Sequence, residues 1–265
     1  MSDIREKYVA DGFLHLREVF SEAELEFARQ AVSHLPEWIR QHSGNANVQR
    51  LQPLQRCPAV ADPAWIKAFY GNARLSRVVD EIFEDVIVPT PNMSRDFQVT
   101  GLLIGPREHW WSTGLHRDYR DLMENIDVET WLSHTDDLRM FNQINIPLHP
   151  DPSLWVIPGS HDRADTKDEA TVVRARDRYR ECQDRSMDAR KTRAYRSELI
   201  DAMQACGGVN VQAVPGDLIL YRSNILHCGI YEPAAVRMTL HDGIYSRQWH
   251  DYVLETLGHG TAQPG

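Results

Sequence analysis

The sequence predicts an α+β protein, mainly β, in which a sandwich or barrel of short strands carries a helical N-terminal layer and one inserted run of helices. Three observations predict it. After Val86 the chain breaks into strand-length segments, punctuated at Pro147 to Pro152, Pro158-Gly159, Pro215-Gly216 and Glu232-Pro233. Before that point apolar residues recur at helical spacing. Between 164 and 206 the strand pattern stops, and a charged stretch with few apolar points, among them Tyr195, Leu199 and Met203, takes its place.

The elements follow in order. A short helix over 3–11 ends at Gly12, and Phe13-Leu-His-Leu16 alternates as a strand. Ser21 and Glu24 form a capping box for a helix carrying Leu25, Ala28, Val32 and Leu35, which should stop near Pro36. Residues 41–62 are polar, with Gly44, Asn45, Asn47 and Pro53, and read as a surface loop. Helices follow over 64–70 and 75–83, the second strongly amphipathic. Strands are predicted at 97–104, in a short segment ending at His116, at 140–146, 154–157, 209–214, 217–221, 227–231 and 236–241, with helices inserted over about 164–206. No internal repeat or low-complexity segment appears, and 1–265 reads as a single domain.

Composition excludes several classes. With 42% hydrophobic and 25% charged residues, 265 residues can bury a sizeable core. A net charge of −9 argues against nucleic-acid and anionic-membrane partners, which require a basic face. Cys57, Cys182, Cys206 and Cys228 form no C-x-x-C pair and read as reduced thiols. The polar start and the lack of an apolar run of about 20 residues predict a cytoplasmic protein.

The chemistry lies in His116, Asp118 and His227. A His-x-Asp pair with one distant histidine is the residue set of a facial site that holds Fe(II) at three neighbouring corners and leaves three open. Residues i and i+2 of a strand point the same way, so His116 and Asp118 converge from one strand end. A hairpin centred near Glu232-Pro233 sets Arg237 opposite His227, on the same face, where a guanidinium clamps a carboxylate. Two further His-x-Asp pairs, His134 with Asp136 and His149 with Asp151, lie in polar or proline-bracketed turns and read as turn formers and solvent contacts. His161 reads as a turn residue, and His241 shares the face of Arg237. Cys228 should face away from His227. Gln143 and Asn145, on one face of a strand, line either a polar cavity or solvent. Arg117 and Arg120 flank the metal pair and either touch substrate or form ion pairs.

These segments resemble the phytanoyl-CoA dioxygenase family of Fe(II)- and 2-oxoglutarate-dependent oxygenases, over about residues 8–245. Tyr8-Val-Ala-Asp-Gly-Phe-Leu14 with Ser21-Glu-Ala-Glu-Leu25 is similar to the family's opening. Leu115-His-Arg-Asp118 is similar to its iron motif, with Leu115 in place of the usual tryptophan. Leu154-Trp-Val-Ile-Pro-Gly-Ser-His161 and Pro215-Gly-Asp-Leu-Ile-Leu-Tyr221, with His227 and Arg237, match its later blocks.

The resemblance implies a double-stranded β-helix, a cupin-like jelly roll, with the N-terminal and inserted helices packed on it. It implies iron on His116, Asp118 and His227, and the distal carboxylate of 2-oxoglutarate on Arg237. Asn145 would line the co-substrate cavity. Gly229 replaces a hydroxyl residue, so Thr239 or Gln98 would supply that hydrogen bond. Arg117, beside the metal pair, and Gln143, on the polar strand face, are the substrate-facing candidates that the residues themselves suggest. The implied reaction uses O2, releases succinate and CO2, and hydroxylates an unactivated C–H of a small molecule in specialised metabolism. Retention of Asp118 speaks against halogenation, which needs an open corner in its place. The alternatives are a cupin-like binder of a small molecule or metal without turnover, and a zinc hydrolase.

Overall fold

The computed structural model describes residues 3–83, 100–122, 133–140, 142–180, 189–233 and 236–244. Helix α1 (Asp3–Asp11) leads into strand β1 (Phe13–Leu16). Helix α2 (Glu22–Val32) starts at the predicted capping box: the Ser21 side chain accepts from the Glu24 N–H, and the Glu24 carboxylate accepts from the Ser21 N–H. Pro36 does not end this helix. It stands in the first turn of a new one, α3 (Leu35–Ser43), where the missing N–H costs nothing. The predicted loop over 41–62 also carries β2 (Arg50–Leu51) and a 3-10 turn at Leu54–Arg56. Helices α4 (Ala64–Tyr70) and α5 (Ala73–Ile82) complete the N-terminal layer.

The strands follow: β3 (Gly101–Ile104), β4 (Trp111–Ser112), β5 (Asn142–Pro147) and β6 (Leu154–Val156). A short helix, α6 (Asp118–Leu122), lies between β4 and β5. The inserted helices are α7 (Lys167–Arg174), α8 (Arg176–Arg180) and α9 (Ala189–Ala205). Strands β7 (Val209–Asn210), β8 (Leu218–Arg222), β9 (His227–Tyr231) and β10 (Met238–Ile244) close the fold. The predicted strand residues before Thr100 lie outside the described residues.

The strands form two antiparallel sheets, a six-stranded one in the order β1-β8-β5-β10-β3-β2 and a four-stranded one in the order β4-β9-β6-β7. This is the predicted jelly roll. The predicted hairpin between β9 and β10 does not exist: β9 pairs with β4 and β6, whereas β10 pairs with β3 and β5 in the other sheet. The chain crosses between sheets at the link around Glu232-Pro233. A turn signal marks a reversal but not which sheet receives the next strand.

Period-two alternation divides the core into three layers. The outer face of the large sheet (Leu102, Ile144, Ile146, Leu220, Leu240) packs on the N-terminal helices through Tyr8, Leu25, Phe69 and Val79. Tyr8, fully buried, donates from its hydroxyl to Asn142 Oδ1 at 2.7 Å and pins α1 to β5. The outer face of the small sheet (Trp155, Cys228, Ile230) packs on Leu199 and Met203 of the insertion. Between the sheets, Leu154, Val156, Ile219, Tyr221 and Ile225 close one end of the sandwich. Among the described residues no helix is long and apolar enough to cross a membrane.

Candidate metal centre

His116, Asp118 and His227 come together between the sheets, with one donor atom from each within 4.8 Å of the others. Among the described residues this is the one His, Cys, Asp or Glu cluster of three with such spacing. His116 Nε2 lies 3.2 Å and His227 Nε2 lies 3.6 Å from Asp118 Oδ1. The local structure differs from the predicted strand end. His116 makes an isolated antiparallel bridge to His227, and Asp118 begins α6. Three backbone hydrogen bonds stitch the segments together: His116 N–H to the His227 carbonyl, the reverse, and Asp118 N–H to the Ser223 carbonyl, each 3.0 Å.

Each ring is aimed by its other nitrogen. His116 Nδ1 lies 2.8 Å from the Gly114 carbonyl, and His227 Nδ1 lies 2.9 Å from the Ile225 carbonyl. A carbonyl only accepts, so Nδ1 carries the proton and the Nε2 lone pair faces the cluster. Gly114 has φ 70, and a side chain there would strike Arg176. The ligand turn therefore requires glycine. Gln143 donates its amide to Asp118 Oδ2.

The electrostatics favour a cation. Burial acts against the Asp118 carboxylate, but His227 and His116 outweigh it and hold its pKa well below the usual range. Burial pulls His227 down to about 4 and His241 to about 3, against a partial opposing pull from Asp118. Asp118 thus stands as a carboxylate and His227 as a neutral imidazole, the forms that ligate metal.

Arg237, Thr239, His241, Asn145 and Gln143 occupy the inner face of the large sheet. His241 pairs with Asn145 in register, and its Nδ1 lies 2.8 Å from Asn145 Oδ1. The polar strand face of Gln143 and Asn145 therefore points between the sheets, to Asp118 and His241, and not into solvent. Arg237 is buried, but not as predicted: its Nε donates to Asp151 Oδ2 at 2.8 Å, and Tyr231 lies under the guanidinium, 4.7 Å from ring centre to Cζ. Asp151 also accepts from the Thr239 hydroxyl at 2.5 Å and from Ser153. Asp151 is thus a buried counter-ion and not the solvent-facing turn former the sequence suggests. Thr239 is committed to it. Gln98 lies outside the described residues.

Arg117 turns away from the cavity. Its fully buried guanidinium donates to Asp165 Oδ1 and to the Ser160, Asn224 and Arg163 carbonyls. It fastens the ligand turn to its neighbours and offers nothing to a substrate. Arg120 pairs with Asp121 and Asp165, and Arg163 pairs with Glu169. Cys228 faces the outer cluster, as alternation predicts. Sequence reasoning did not single out Tyr221, whose ring stands 5.4 Å from that of His227, nor Tyr231. Their signal was position alone, since both belong to the inward-facing parity of β8 and β9.

Solved structures share this fold. AviO1 from Streptomyces viridochromogenes is 14% identical, with a TM-score of 0.57, covering 91% of this chain and 93% of its own. The non-heme alpha ketoglutarate dependent carbocyclase SnoK from nogalamycin biosynthesis is 16% identical, with a TM-score of 0.55, covering 93% and 84%. EctD from S. alaskensis, in a structure with 2-oxoglutarate and 5-hydroxyectoine, is 18% identical, with a TM-score of 0.57, covering 94% and 77%. No protein-family model matches the chain, and no curated protein matches it either.

Proposed function

We propose that this protein is an Fe(II)- and 2-oxoglutarate-dependent oxygenase that oxidises, by hydroxylation, an unactivated C–H of a small organic molecule in specialised metabolism. The observation that carries the reading is the convergence of His116, Asp118 and His227 on one point between the sheets, with Arg237 buried just before β10 of the facing sheet. Two imidazoles and one carboxylate fit Fe(II) and leave part of its coordination sphere for other ligands. The neighbours include an enzyme whose structure holds 2-oxoglutarate and another termed alpha ketoglutarate dependent, which supports the same class.

When bound, ferrous iron and 2-oxoglutarate would supply the oxidation with O2, releasing succinate and CO2. The chain's own residues orient and enclose. His116 and His227 present Nε2, Asp118 remains ionised, and Gln143 fixes the carboxylate's second oxygen. Asp151 holds only Nε of Arg237, and its terminal nitrogens have no hydrogen-bond partner among the described residues. That free edge of the guanidinium is the one suited to a bidentate carboxylate contact. Tyr221, Ile219 and Val156 bring apolar surface to the sandwich interior and help exclude water. Asp118 would be a ligand to the metal where halogenation needs an open position, which speaks against halogenation and is consistent with hydroxylation.

The test is succinate release from 2-oxoglutarate with Fe(II) and O2, across a panel of small molecules. Asp118→Ala should abolish both Fe(II) retention and succinate release. A variant that retains wild-type turnover removes the oxygenase reading, and tight zinc without iron-dependent turnover would favour a hydrolase.

A further inference from the structure

We infer that Tyr231 is a positioning residue for the co-substrate, its phenolic hydroxyl donating a hydrogen bond to the 2-oxo dicarboxylate that spans from the metal ligands to Arg237. The inference rests on the oxygenase reading and assigns a residue to it.

Strand alternation puts His227, Gly229 and Tyr231 on one face of β9 and Cys228 and Ile230 on the other, although the Tyr231 ring also reaches the edge of the outer cluster through Trp111. The Tyr231 ring folds back along its own strand over Gly229. A side chain at 229 would collide with the Tyr231 hydroxyl and ring, so the phenol fills the space that glycine leaves. The phenolic oxygen therefore lies over the residue two along from the ligand His227. The same ring supports the Arg237 guanidinium at 4.7 Å and is braced by the Trp111 ring at 4.5 Å.

One side chain thus joins both ends of the co-substrate path. A dicarboxylate held beside His227 and clamped by Arg237 would run past this phenol, whose hydroxyl lies over Gly229 and whose ring lies against Arg237. The hydroxyl has no hydrogen-bond partner among the described residues, so its donor is available. Burial raises its pKa above the ordinary value, so the proton remains in place at neutral pH. The absence of a side chain at Gly229 is the steric condition for this arrangement.

The test is an anaerobic titration of the Fe(II)-loaded full chain with 2-oxoglutarate, followed by the visible charge-transfer absorption that chelation produces. Tyr231→Phe keeps the ring and removes the donor. It should bind 2-oxoglutarate about threefold to tenfold more weakly, the range expected for one hydrogen bond, with unchanged Fe(II) affinity and unfolding temperature. Gly229→Ala should weaken 2-oxoglutarate binding by driving the ring off its seat. The same change should have no further effect in a Tyr231→Ala background. Wild-type affinity for 2-oxoglutarate in Tyr231→Phe overturns the inference, as does a parallel loss of Fe(II) affinity, which would mark a structural role. If the wild-type protein itself gives no charge-transfer band, the oxygenase reading fails first, before any variant is compared.

Discussion

At the scale of single residues, the site depends on hydrogen bonds that set the direction of each ligand. His116 and His227 are held through Nδ1 by carbonyls, and Asp118 is held through Oδ2 by Gln143. Partners of metal ligands typically contribute about 10- to 100-fold in metal affinity. Gln143→Leu should therefore weaken Fe(II) binding by roughly that factor while leaving the fold intact, as measured by Fe(II) titration against a competing chelator. Unchanged affinity would show that the amide does not orient the carboxylate. The ligands themselves were legible because their side-chain chemistry is rare in combination. Asp151 was not. Its Pro-bracketed turn suggested exposure, and only the neighbouring strand brings Arg237 and Thr239 to it.

At the scale of elements, the ligand turn shows what local pattern can and cannot give. The spacing of His116 and Asp118 suggested one strand, yet the chain leaves the sheet at His116 and starts a helix at Asp118. The side chains still converge because backbone bonds to His227 and Ser223 hold both segments. Gly114, at φ 70, makes the turn possible and supplies the carbonyl that aims His116. Gly114→Ala should cost about 1 to 2 kcal/mol for the left-handed backbone alone, and more from collision with Arg176. Urea unfolding measures that cost, and Fe(II) affinity should fall with it; full stability in this variant would contradict the requirement for glycine. The capping box at Ser21 and the alternation of β5 were readable because both are local. Pro36 misled because proline ends a helix or begins one, and the residues around it decide which.

At the scale of the whole molecule, one buried acid couples stability to pH. Asp242 lies in β10 on the core side of the large sheet, fully buried, and burial pushes its pKa up to about 7 from 3.8 despite hydrogen bonds from Thr100 and Gly243. The folded state therefore keeps this proton to higher pH than the unfolded chain. The associated stability is complete below about pH 4 and is lost as pH rises through about 7, a change on the order of 4 kcal/mol. Asn mimics the protonated acid, with its amide toward Thr100 and its oxygen toward Gly243. Unfolding free energy of Asp242→Asn, measured from pH 4 to 8, should lack this decline and exceed wild type at the alkaline end. Parallel pH profiles for the two proteins would show that Asp242 ionises normally in the core.

The sequence by itself determined the fold class, most of the longer helices and strands, and the residue set of the metal site, because periodicity and side-chain chemistry are properties of short stretches; it missed α3, β2 and α6. Tertiary structure alone decided that β9 and β10 enter different sheets, that Arg237 is held by Asp151, that Arg117 faces away from the cavity, and that Tyr231 lies over Gly229. Those outcomes depend on which strands become neighbours across long separations. Pairing between distant strands is fixed by the packing of whole layers, which no local pattern in the chain encodes.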